Sequence, residues 1–201
     1  MIEERDASGM AVSVEEYEEI AEYDELEPEE LEVDESVELI PVPMGPSDDE
    51  VAKMLDDAIA AGRAGDLDQG VLLFSDVLDA DPDNVRAILG RGRLYLDLGD
   101  YARAMSDFTV AEDIAPDSPE PQVAIGDLYF ARKDYSRAIE YFNLALDVAP
   151  SHAMAFCRRG ISHYYRKNYS QALEDLDKAQ KLNPDIPNIG TYVAMAKRKK
   201  R

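Results

Sequence analysis

An all-α solenoid of four helix pairs is the fold the sequence predicts, and three observations predict it. Pro82, Pro116, Pro150 and Pro184 stand 34 residues apart, small residues recur in phase with them, and large apolar residues recur at one complementary place. A fixed period of this size marks a stack of like supersecondary units rather than one closed globule. The units are 51–84, 85–118, 119–152 and 153–186. The eighth place holds Ala58, Gly92, Gly126 and Gly160, the twentieth Gly70, Ala104, Ala138 and Ala172, and the twenty-seventh Val77, Ala111, Ala145 and Ala179. The twenty-fourth holds Phe74, Phe108, Phe142 and Leu176. Small side chains let helices approach and the large one fills the gap, so each unit reads as an antiparallel helix pair packed on the next.

Local signals set the order of elements. Ser47 and Glu50, three apart, form a capping box ahead of Val51 and Met54, where the first helix is expected. Each unit breaks between its two helices, at Gly65-Asp66, Gly99-Asp100, Lys133-Asp134 and Lys167-Asn168. Asp83, Ser118 and Ser151 are the expected caps of the first helices of units two to four, with Pro119 in a first turn where its missing N–H is harmless. Pro187 to Lys199 carries Ile189, Tyr192, Val193 and Ala196 at helical spacing and reads as a C-terminal helix covering the last unit, 187–201 being its segment.

The family signature is legible once the units are aligned. Unit two reads Gly92, Tyr95, Tyr101, Ala104, Phe108, Ala111, Pro116, and unit three Gly126, Tyr129, Tyr135, Ala138, Phe142, Ala145, Pro150. About three quarters of the chain thereby resembles the tetratricopeptide repeats. Ile88 and Gln122 replace that family's leading Trp, His163 replaces a Tyr, and unit one departs most, with Ala61 and Val77. The resemblance implies a right-handed superhelical solenoid of helix-turn-helix repeats over residues 47–186.

Charge divides the chain. Residues 1–50 hold 20 of the 43 acidic residues and a single basic one, Arg5, out of a formal net charge of -22. With Pro28, Pro41, Pro43 and Pro46 and no sustained period, residues 1–46 are expected to be a largely disordered acidic tail. Met1 to Met10 has no apolar core, and no apolar run reaches the ~18 residues that span a bilayer. One cysteine, Cys157, forms no disulfide within the chain. A soluble cytoplasmic protein is the resulting expectation.

No constellation carries chemistry. His152 and His163 are eleven apart with no ligand at metal spacing. Gly90-Arg91-Gly92 lies inside an expected helix with no strand before it, which sets aside a phosphate loop. Cys157 lacks an identifiable base. No enzyme, no metal and no cofactor are expected. The basic end, Lys197 to Arg201, faces a chain whose overall charge repels phosphate, so nucleic acid is not the expected partner.

In the resembled family the first helix of each repeat lines a concave groove. Its places here hold Leu55, Ile59 and Arg63; Arg86, Leu89, Arg93 and Leu96; Glu120, Val123, Asp127 and Phe130; and Met154, Cys157, Arg158, Ile161, Tyr164 and Tyr165. The resemblance thus implies an adaptor whose groove binds a protein or peptide with apolar anchors and some carboxylates. The carboxylate clamp of the co-chaperone members is not implied: its places hold Leu89, Arg93, Ala124, Met154 and Arg158, of which Arg158 alone matches outright and Arg93 in part. The acidic tail is a further candidate occupant, through Tyr17, Ile20, Ala21 and Leu26 behind a Ser13–Glu16 capping box, or through Val37 to Met44. A holding chaperone for secretion or assembly clients is the alternative function.

Overall fold

The computed structural model describes residues 45–200. The expectations placed on the acidic stretch before Gly45, and on Arg201, lie outside the described residues. Nine helices follow one another and no strand occurs among the described residues: α1 Asp48–Ala64, α2 Leu67–Ala80, α3 Val85–Asp97, α4 Tyr101–Ile114, α5 Glu120–Ala131, α6 Tyr135–Val148, α7 Ala153–Tyr165, α8 Tyr169–Leu182 and α9 Ile189–Lys200. Each helix packs on its neighbours in the chain, and α1, α3, α5 and α7 also meet in succession. This is an all-α solenoid of helical repeats.

The repeated small and large residues pack as their spacing requires. Ala104, Ala138, Ala172, Ala111, Ala145 and Ala179 are fully buried, as is Val77. A Cβ added at Gly92 would sit 2.5 Å from the Phe108 ring, one at Gly126 2.5 Å from Phe142, and one at Gly160 2.9 Å from Leu176. Only a backbone without side chain admits those residues so close. The first repeat solves the problem differently. Ala58 occupies the glycine place there, and the Phe74 ring presses instead on Gly90 of the next repeat. Gly90-Arg91-Gly92 is therefore a packing triplet: one glycine receives Phe74, the other Phe108, and the arginine between them pairs with Asp107.

The loops inside the repeats share one device. Gly65 and Gly99 have φ of 86° and 79°, and at the same place Lys133 and Lys167 are held at 63° and 66°. Asp66, Asp100 and Asp134 then cap α2, α4 and α6 by accepting from the N–H three residues on, each cap contributing about 1 kcal/mol. Asn168 makes no such bond.

The caps of the first helices differ from expectation. Asn84 caps α3 through the Ala87 N–H at 3.0 Å, and His152 Nδ1 accepts from the Ala155 N–H at 3.1 Å to cap α7. These lie one residue beyond Asp83 and Ser151, because the turn closed by Asn84 N–H on Asp81 and His152 N–H on Ala149 brings the later residue to the extended position from which a cap reaches back. At α5 the position before the helix is Pro119, with no side-chain cap, and the Ser118 hydroxyl turns to Glu120 instead. Ser47 and Glu50 do form the full capping box. At the other end Ile189 and Val193 of α9, with Ile186 just before it, join the core of the last two repeats.

Candidate functional site

The side chains that the sequence places in the groove lie on α1, α3, α5 and α7, and the structure sorts them by exposure. Leu55, Leu89, Val123, Cys157 and Ile161 are buried at 3–6 % exposure. Leu55, Leu89, Val123 and Cys157 hold the fifth place of their repeats and Ile161 the ninth, and all five belong to the core clusters, which take up their surface. Ile59, Leu96, Asp127, Phe130, Arg158 and Tyr164 are half-buried; Arg63, Arg86, Arg93, Met154 and Tyr165 are exposed, as is Glu120. Leu55 and Arg86 border one shallow cleft of about 520 Å³ between the start of α1 and the α2–α3 turn.

Two groups of these residues are brought together. The first is ionic. Asp127 of α5 meets Arg158 of α7, Oδ1 to Nε, at 3.2 Å, without the alignment of a hydrogen bond, and neither atom has another partner. Burial pushes the Asp127 carboxyl above its ordinary range; Arg158 and then Arg93 of α3 pull the other way but do not offset it. The carboxylate thus lies under the influence of guanidinia from two other repeats. Arg63, Arg86 and Arg93 make no ion pair among the described residues.

The second group is aromatic. Phe130 meets Tyr165 edge-on at 5.5 Å and Tyr135 at 5.3 Å, Tyr135 and Tyr165 stack at 5.2 Å, and Tyr164 joins Tyr165 and Tyr169 at 5.6 and 5.7 Å. Such pairs hold one another beyond their buried area, by about 0.5–1.5 kcal/mol each. Tyr165 remains 46 % exposed, so the cluster presents a fixed aromatic edge to solvent. Tyr135 and Tyr169, at the starts of α6 and α8, belong to this cluster, although the sequence reading left Tyr135 in the packing signature and did not single out Tyr169; their shared place beside the loop was the available signal. Tyr192 of α9 closes the same end, packed against the cluster that holds Cys157 and Ile161. Leu55 and Ile59 belong to a separate core cluster around the first repeat.

Burial pushes the Cys157 thiol up, away from the thiolate that reactivity requires. His152 is a helix cap whose Nε2 lies 3.8 Å from Glu120. Among the described residues no three His, Cys, Asp or Glu side chains converge for a metal, and no helix is long and apolar enough to cross a membrane.

Three family models, each described as tetratricopeptide repeat, match residues 55–119, 96–155 and 153–186. No curated protein matches the chain. Among solved structures, PilF of Pseudomonas aeruginosa is 18% identical with a TM-score of 0.68, over 77% of this chain and 70% of that one. A thermophilic repeat protein of Thermus thermophilus is 19% identical with a TM-score of 0.68, over 75% and 82%. The first repeat domain of Spaghetti (RPAP3), bound to an HSP90 peptide, is 22% identical with a TM-score of 0.54, over 59% and 94%.

Proposed function

Because the chain belongs to the tetratricopeptide repeat family, its repeats matching that family's models from residue 55 to residue 186, we propose that it is a non-enzymatic protein-interaction adaptor. Its concave groove binds a segment of a partner protein that carries apolar anchors and some acidic residues. The observation that carries this reading is the pairing of polar and of aromatic groups between α5 and α7: Asp127 with Arg158, and Phe130 with Tyr165, one turn further along α5 and two turns further along α7. A peptide recognised there sets an apolar side chain on the aromatic edge and a carboxylate toward the unpaired guanidinium of Arg93. Burial penalises the charge of Asp127, a cost that supports a binding role over a packing one.

The Spaghetti (RPAP3) domain, which shares the fold, is bound to the acidic peptide SRMEEVD. Here Leu89, Ala124 and Met154 stand where the co-chaperone pattern of the family has polar donors, so a different acidic segment with more apolar contact is the ligand proposed. The acidic tail, residues 1–46, regulates access by competing for the same groove, and the protein works in the cytoplasm.

Amide hydrogen exchange on the full chain and on residues 47–201, at low and moderate salt, tests the regulation. Protection around Leu89, Phe130 and Tyr164 that disappears with the tail or with salt supports it; identical maps leave the groove free of the tail. A client-holding chaperone differs in an observable way, suppressing aggregation of unrelated proteins without a preferred motif.

A further inference from the structure

Helices α6, α7 and α8 border a half-open cavity of about 300 Å³, lined by Asn143, Arg159, His163, Gln171, Glu174 and Asp175 with Ile139 as its apolar side. None of these residues belongs to the proposed groove. The cavity has a cause in the repeat register. In the second and third repeats the corresponding place is filled from within: the Arg103 guanidinium lies over Tyr95 at 4.3 Å and that of Arg137 over Tyr129 at 5.5 Å. Each arginine is anchored by the cap of its own helix, Arg103 by Asp100 at 2.6 Å and Arg137 by Asp134 at 3.5 Å. In the fourth repeat the same three places hold His163, Gln171 and Asn168. An imidazole is smaller than a phenol, and an amide is shorter than a guanidinium and uncharged. The exchange removes volume, and with it an ion pair: the guanidinium and the carboxylate that anchored it.

The walls are set for the group that is gone. Arg159 spends three of its five N–H groups inside the protein, Nε and Nη2 donating to Asp175 at 2.8 and 2.7 Å and Nη1 to Asn143 Oδ1 at 2.7 Å, and Asp175 pairs its charge. His163 is 8 % exposed and its Nδ1 is buried without a hydrogen-bond partner. Burial, helped by Arg159 and Arg166 and opposed by Asp175, holds that ring below the usual imidazole pKa, so it is neutral at pH 7 and has an acceptor nitrogen. Glu174 makes no ion pair among the described residues. Acceptors and one free carboxylate beside a ring face suit a planar cation with several N–H donors.

We propose that this cavity binds the guanidinium of an arginine side chain presented by another protein, Glu174 pairing its charge and the Gln171 amide oxygen accepting from its N–H groups. The guest takes the place that Arg103 and Arg137 take in their own repeats, stacked on the His163 ring. It is a second contact, on a different face from the groove.

The test is an NMR titration of the full chain with N-acetyl-arginine methylamide, reading the His163 ring and Gln171 side-chain signals, with the citrulline and lysine analogues as controls. Saturable shifts are expected for the arginine probe, with binding about tenfold weaker for the uncharged citrulline analogue and in Glu174→Gln, whose surface position leaves the fold intact. The double variant His163→Tyr with Gln171→Arg restores the filled arrangement of repeats two and three; it is expected to melt no lower than the parent and to lose the probe. Absence of saturable shifts, equal binding of the citrulline or lysine analogue, or probe binding that survives in the folded double variant overturns the proposal.

Discussion

Arg91 and Asp107, one from each helix of the second repeat, meet as a two-pronged pair, Nε donating to Oδ2 at 3.0 Å and Nη2 to Oδ1 at 2.9 Å. The remaining Nη1 of Arg91 donates to Ser75 of the repeat before, at 3.2 Å. Two repeats later Arg159 holds Asp175 and Asn143 in the same way. The third repeat, between them, has Ile125 and Tyr141 at these places. One arginine thus ties three helices together in alternate repeats, and apolar packing does so in the repeat between.

Removing one partner of such a pair costs more than replacing both, because a lone recessed charge is left behind. Asp107→Ala is expected to lower stability by about 2–4 kcal/mol in chemical denaturation. The double exchange Arg91→Ile with Asp107→Tyr copies the third repeat and is expected to recover most of that loss. A double variant as unstable as the single one contradicts the account.

Lys133 and Lys167 adopt the left-handed conformation that Gly65 and Gly99 supply in the first two repeats. An L side chain is strained there, and both lysines are exposed, so nothing is lost with the side chain. Lys133→Gly and Lys167→Gly are each expected to raise stability by about 0.5–1 kcal/mol, the relief of strain exceeding the extra freedom glycine gives the unfolded chain. Thermal melts of the two single variants check this.

Gly90 receives the Phe74 ring because Ala58 denies it the place that glycine provides in the later repeats. Gly90→Ala is expected to cost about 1–3 kcal/mol by overpacking, and adding Phe74→Leu, the residue type the fourth repeat uses at Leu176, to return part of it. A neutral single variant shows that the ring moves aside freely.

Much of this architecture was legible because it recurs. Glycine at the eighth place and a large side chain at the twenty-fourth meet in the structure as Gly92 with Phe108 and Gly126 with Phe142. What does not recur in every repeat was not legible: the Arg91–Asp107 pair skips a repeat, and its arginine looked like part of a glycine triplet. The cap shift from Asp83 to Asn84 depends on how the preceding turn closes, which residue type alone does not reveal. For the proposed groove, the resemblance put its residues on α1, α3, α5 and α7, but Leu89, Val123 and Cys157 are buried, and only packing distinguishes a lining residue from a core one.

Asp127 gives a pH signature. Its folded pKa is raised by burial, so the folded state holds the proton more tightly than the unfolded chain, and ionisation at neutral pH works against folding. Stability gains as pH falls through the raised pKa and is level once the ordinary carboxylate range is passed. Asp127→Asn is expected to be more stable than the parent at pH 7, with the difference vanishing at acidic pH, and to bind groove peptides differently at pH 7. A difference in stability independent of pH contradicts the assignment.

The measurement closest to the central claim is selection of peptides from a random library on the full-length protein, followed by affinities for the parent, Arg93→Ala and Tyr165→Ala. The account predicts a shared motif of apolar residues with Asp or Glu, bound about tenfold more weakly by each variant, each of which alters an exposed side chain and leaves the core intact. Selected peptides that bind all three proteins equally, or a selection with no common motif, contradict a groove that recognises a partner segment.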